Sequence, residues 1–193
     1  MRRRLIAILV LILLMFSSCT KEGQHSELQP AMDFRAGLLN SGGAQFTAEV
    51  TADYGEEVYT FTLDCKYVTD GTTEIDVAAP DTLCGIKAQI ENDTGRLTFF
   101  DTELTFGTLA DGTVTPLSAP AVLGRCWQSA YIASSGKEEK TLRVSYEDGF
   151  DADQLLVDTW FSQKGIPIYA EICYNESCVL KLTISDFSLL PKS

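Results

Sequence analysis

From residue 44 onward, apolar and polar side chains change places at nearly every step. Phe46, Ala48 and Val50 alternate with Thr47, Glu49 and Thr51. Tyr59, Phe61, Leu63, Cys65 and Tyr67 alternate with Thr60, Thr62, Asp64 and Lys66, and the same rule runs through Ile75 and Val77 and through Ile86, Ala88 and Ile90. A period of two with one polar side is the pattern of antiparallel strands that bury one face. Strands return at "TLRVSYE", "QLLVDTWFS", "IPIYAEICY" and "CVLKLTISDF". Two stretches break the period. Ala31, Phe34 and Leu38 mark one face of a helix opened by Pro30 and stopped by "NSGG". Ala119, Val122, Leu123, Cys126, Trp127, Ala130 and Tyr131 recur at three and four, with Ser118 as N-cap, Pro120 in the first turn and Gly136 ending the region. The order is helix, strands, helix, strands, an α+β arrangement in one domain spanning residues 30–193.

Cross-strand charge fixes expected hairpin registers. Apolar-on-apolar alignment sets Tyr67 opposite Ile75, Cys65 opposite Val77 and Lys66 opposite Asp76. It sets Ile90 opposite Leu97, Ala88 opposite Phe99 and Glu91 opposite Arg96. In the last hairpin Ile172 meets Leu180, Ala170 meets Leu182, Ile168 meets Ile184 and Glu171 meets Lys181.

The amino terminus follows another logic. Arg2, Arg3 and Arg4 precede twelve apolar residues, Leu5 to Phe16. A spanning helix needs about 20, so the run reads as an export signal. Phe16-Ser17-Ser18-Cys19 resembles the bacterial lipoprotein cleavage box, with Phe16 where that box usually has Leu, Val or Ile. The resemblance implies that residues 1–18 are a signal peptide, that Cys19 carries a diacylglyceryl group, and that residues 19–29 are a polar tether. Two or more buried acyl chains hold a protein stably at a bilayer.

Charge narrows the partners. The full chain has 15 basic and 27 acidic residues; without the three leading arginines, 12 face 27, a net −15. Nucleic acid, bound through Lys and Arg on phosphates, is excluded as a partner. Lipidation of Cys19 would leave Cys65, Cys84, Cys126, Cys173 and Cys178, an odd set. In the expected registers Cys65 and Cys84 share a face with a strand between them, about 9–10 Å apart and too far to bridge. Tyr174, not Cys173, opposes Cys178. Mostly free, buried thiols are expected, with Cys173–Cys178 the leading exception.

Candidate chemistry is sparse. His25 is the only histidine and sits in the tether, so no Ser-His or Cys-His pair can form inside the domain. "CYNESC" lacks a second pair for zinc, and "DGFDADQ" lacks the full calcium-loop pattern and terminal glutamate. No cofactor or metal is implied. Carboxylates such as Asp70, Asp93, Asp111 and Asp148 fall at turns or solvent-facing positions. A paired-carboxylate hydrolase would need two of them across a polar cleft.

The element order, with "LLVDTWFSQKGIPIYAEI" as the best local match, resembles the lipoprotein-localisation carrier (LolA-like) superfamily. The matching residues are Val157, Asp158, Trp160, Lys164, Gly165 and Pro167. That resemblance implies a strongly curved antiparallel half-barrel with helices covering its concave face and an acyl-chain cavity between them. Soluble carriers of the family are not anchored, so Cys19 departs from their pattern, and no binding residue carries over. On this reading Tyr59, Phe61, Leu63, Ile75, Val77, Ile86, Ile90, Phe99, Leu123 and Trp127 line a site for an acyl chain, lipid or other hydrophobic ligand. The protein would be exported, anchored to the bacterial cell membrane through Cys19, and not an enzyme. The other reading is an envelope protein-interaction module with a filled core and no small-molecule ligand.

Overall fold

The computed structural model describes residues 22–91, 94–107, 109–110, 113–149, 155–174 and 177–192, with side chains from residue 28 onward except at 109, 110 and 113. Cys19 and the signal region lie outside these residues, as do Asp93, Asp111 and most of "DGFDADQ".

The chain opens with helix α1 (Glu22–Asn40), and six strands follow: β1 (Gly43–Asp53), β2 (Val58–Val68), β3 (Thr73–Ala79), β4 (Lys87–Glu91), β5 (Thr94–Phe99) and β6 (Thr102–Gly107). A two-residue pair, β7 (Leu109–Ala110) and β8 (Thr113–Val114), leads into helix α2 (Ala119–Ser129). Five strands complete the chain: β9 (Tyr131–Glu138), β10 (Thr141–Asp148), β11 (Leu155–Phe161), β12 (Pro167–Tyr174) and β13 (Ser177–Leu190). Apart from β7 and β8, all strands join one open sheet of eleven in the order β6-β5-β4-β3-β2-β1-β13-β12-β11-β10-β9. Every pairing is antiparallel. Two hairpin meanders are thus joined at the centre by the first and last strands.

Alternating positions bury one face. On β2, Leu63, Cys65 and Tyr67 are buried while Asp64 and Lys66 are exposed. Both helices pack on that face. Ala31 and Leu38 of α1 are buried as their spacing requires, but the helix starts at Glu22 and holds Pro30 in its interior. Helical turns therefore extend into the stretch whose polarity suggested a tether. Tyr131 and Gly136 belong to strand β9, not to the end of α2. Ser118 precedes α2 but makes no side-chain cap bond.

The registers hold on facing but shift in two hairpins. Cys65, not Tyr67, opposes Ile75, and Lys66 opposes Glu74, 3.0 Å away as an ion pair. Ala88, not Ile90, opposes Leu97, and Arg96 opposes Gln89 instead of Glu91. Both offsets are two residues, which preserves the buried face. In the last hairpin Ile172–Leu180, Glu171–Lys181 and Ala170–Leu182 pair as expected. That ladder begins at Tyr169–Thr183, leaving Ile168 outside it and exposed.

A bulge between Ile172 and Cys173 then slides Cys173 opposite Cys178, and the two form a disulfide. The bulge supplies the parity change that a regular ladder denies. Cys65 and Cys126 are free and buried, whereas Cys84 is free, exposed and in the turn after β3, not on a strand.

Candidate functional site

Helix α2 packs against β1, β2, β3 and β10. Its seat on β2 is set by Gly124, where a Cβ would come within 2.1 Å of the Tyr67 ring. The Tyr67 hydroxyl donates to Gln128 Oε1, and Gln128 Nε2 donates to the Thr69 carbonyl at 3.0 Å. Burial pushes the Tyr67 phenol up to about 12. From α1, the Arg35 guanidinium donates to the carbonyls of Trp127 (2.9 Å), Cys126 (3.1 Å) and Ala130 (2.8 Å). A cation thus adds donors to carbonyls at the helix end, where Cys126 O also accepts the Ala130 N–H, and matches its negative dipole end. Trp127 meets Phe34 and Phe46 at ring separations of 5.7 and 5.5 Å, touches Phe187 at 6.0 Å, and donates its Nε1 to Thr159 Oγ1 at 3.1 Å. Phe34 also packs on Phe161 at 5.0 Å. These rings fill the interior around the C-terminal end of α2.

Away from that end the same apolar face comes into the open. Along β2 the inward residues pass from Tyr67, 2% exposed, through buried Leu63 and half-buried Phe61 to Tyr59, 44% exposed. Tyr59 and Phe61 stack at 6.5 Å, and Tyr54 lies 6.4 Å from Tyr59. Across the sheet, Ile86 and Phe99 are half-buried at the same strand ends. Leu104, paired with Leu97, is 60% exposed, and Phe100 at the β5–β6 turn is 84% exposed against Phe99. The starts of β2, β4 and β6 and the ends of β3 and β5 form this mouth.

Of the ten side chains expected to line a site, Leu63, Ile75, Val77, Ile90, Leu123 and Trp127 join one buried cluster. Phe61 and Ile86 pack against its margin, and Tyr59 and Phe99 extend to the mouth. Leu104 and Phe106 on β6 were not singled out from the sequence. Their alternation with Glu103 and Thr105 is the signal that marks them. The Phe106 ring lies over Gly95, where a Cβ would stand 2.2 Å from it.

Charge is divided between the faces. Inward positions of β2 to β6 carry no Asp, Glu, Lys, Arg or His. The outward Lys66, Lys87 and Arg96 pair with Glu74 (3.0 Å), Asp76 (2.8 Å) and Glu103 (3.3 Å). Carboxylates collect at the mouth: Asp53 at the end of β1, Glu56 and Glu57 between β1 and β2, Asp81 after β3, and Asp101 between β5 and β6, all exposed. The Tyr59 hydroxyl donates to Glu57, and that bond, with some burial, raises its pKa. Burial holds the Cys65 and Cys126 thiols far above the ordinary thiol range, so neither is a ready nucleophile. Asp148 is not a free surface acid: it lies in a part-buried pair with Arg125 at 2.6 Å.

A second opening lies at the opposite end. Gln29, Pro30, Asp33, Phe34 and Gly37 of α1, the turn Gln163–Ile166 and residues 187–189 of β13 enclose a cleft of about 670 Å³. Its lining includes Phe34 and Phe187, members of the aromatic cluster around Trp127. Lys164 and Gly165 of the family-like stretch form one wall.

Among the described residues, no group of three or more His, Cys, Asp or Glu side chains is placed to hold a metal ion, and no helix is long and apolar enough to cross a membrane. No family model matches the chain, nor does any curated protein. Among solved structures it is similar to a LolA superfamily protein from Nitrosomonas europaea, at 12% identity over 88% of this chain and 94% of that one, TM-score 0.45. It is also similar to a DUF1329 family protein from Desulfovibrio piger (8% identity, 86% and 92% covered, TM-score 0.48). A third similarity is to the lipoprotein LppX of Mycobacterium tuberculosis (13%, 84% and 93%, TM-score 0.42).

Proposed function

We propose that this is an exported lipoprotein, anchored through an acylated Cys19, that binds an acyl chain or other hydrophobic ligand between the apolar face of a bent sheet and the two helices. The observation that carries the reading is the uncovered inner face at the mouth, where Tyr59, Leu104 and Phe100 meet solvent on a surface continuous with the core. Contiguous exposed apolar surface marks binding sites more often than it occurs by chance on a monomer, and ligand sites are concave and mostly apolar. Leu63, Ile75, Val77, Ile90, Leu123 and Trp127 would form the inner wall, and Tyr59, Phe61, Ile86 and Phe99 the approach. The disulfide supports export, since such bonds persist in oxidising compartments.

Titration with N-phenyl-1-naphthylamine, an uncharged fluorescent probe, tests the ligand reading. Tyr59→Asp and Leu104→Asp place a charge on exposed mouth positions. Each is expected to weaken binding about tenfold or more while leaving the circular dichroism melt unchanged. Unaltered affinity in both variants would reject the site.

The filled-core reading is favoured by one observation, the close packing of Trp127 among Phe34, Phe46 and Phe187. It accounts for the interior near Arg35 but leaves the mouth unexplained.

A further inference from the structure

The turns at the mouth are one-sided in charge. An amphiphile whose chain lies on the inner face must leave its head group among the turns at the mouth. Those turns, with the end of β1, carry Asp53, Glu56, Glu57, Asp81 and Asp101. Within residues 53–58, 80–86 and 100–101 there is no lysine, arginine or histidine. Lys87 begins β4 nearby, but it points outward and is engaged with Asp76 at 2.8 Å. Arg96 is held on the outward face by Glu103 at 3.3 Å. The inner wall itself supplies hydroxyls and sulfur, from Tyr59, Thr73, Cys65 and Tyr67, but no cation. Glu57 is fixed at the threshold, because it accepts the hydroxyl of Tyr59, whose ring forms the wall just inside.

We infer that the occupant of this site is an amphiphile whose head group carries no net negative charge, so that free fatty acids and anionic lysolipids are selected against. This rests on the proposed ligand-binding function and adds the head-group class. The physical basis is direct. A head group with a net negative charge would sit near several uncompensated carboxylates, whereas a zwitterionic or cationic one places an ammonium group among them. The same acids oppose docking of the mouth on an anionic bilayer surface, which favours a single extracted amphiphile over a membrane as the partner.

The test uses two lysolipids with the same acyl chain, lysophosphatidylcholine and lysophosphatidylglycerol, titrated calorimetrically below their micelle concentrations into the mature chain. At low salt the choline lipid is expected to bind about tenfold more tightly, the gap shrinking severalfold in 0.5 M NaCl as the mouth charges are screened. The variant Glu56→Gln/Glu57→Gln, changed only at exposed positions, is expected to improve lysophosphatidylglycerol binding and narrow the gap. Equal affinities, or tighter binding of the glycerol lipid, would overturn the head-group inference while leaving the ligand-binding function standing. Failure of both lipids to bind at any monomeric concentration would overturn the two together.

Discussion

Gly124 shows how one residue can decide where a helix rests. The sequence pattern marks Leu123 and Trp127 as the buried side of α2, and both are fully buried. Nothing in that pattern gives Gly124 a special role. Its importance comes from Tyr67, 57 positions earlier, whose ring occupies the space a Cβ would need. Tyr67 cannot yield easily, because its hydroxyl is engaged by Gln128 on the same helix. Gly124→Ala would force α2 off β2 and should cost about 1–3 kcal/mol, the usual range for overpacking, despite alanine's better helix propensity. Urea unfolding measures it; a neutral or stabilising effect would show that the helix is not seated as described. Arg35 is similar: a basic residue on a half-polar helix looks solvent-facing until the end of a distant helix arrives beneath it.

Among the elements, facing was legible and register only partly so. Alternation determines which residues share a face, but it is blind to slips of two. The first hairpin shows why charge did not settle the matter: Glu74 and Asp76 are both outward acids, so Lys66 finds a partner in either alignment. In the last hairpin Glu171 and Lys181 offer no such choice, and the reading matches. Strand β9 escaped notice because "YIASSGKE" is small and polar, with no alternation, as suits a sheet edge. The bulge at Cys173 carries no sequence signal, so the Cys173–Cys178 bridge is readable only as the leading exception among thiols expected to be free. The bridge spans five positions of sequence, so loop closure assigns it about 2 kcal/mol. Cys173→Ser with Cys178→Ser should therefore lower stability by about that amount, read as the shift in denaturant midpoint. The same double change under reducing conditions should do nothing further. Additional loss on reduction would point to another bridge.

At the scale of the whole molecule, an open sheet with its first and last strands paired at the centre sends its two halves out to free edges. Trp127 of α2 and Phe34 of α1 pack together with Phe46 on the inner face, whereas Tyr59 and Leu104 are exposed near acids of the turns. The periodicity of the sequence anticipated the element order, and the resemblance to the carrier family the single antiparallel sheet. It did not anticipate a mouth of this charge, which depends on turns whose residues are scattered from Asp53 to Asp101. Nor did it separate wall from approach among the ten expected lining residues, since burial under α2 depends on where that helix lies. Native mass spectrometry of the mature protein, purified gently from its own envelope, tests most directly whether this interior holds a ligand. The expected spectrum shows the protein with one bound amphiphile, lost from Tyr59→Asp. A clean ligand-free mass for the unaltered protein, under conditions that keep weak lipid complexes intact, would contradict it.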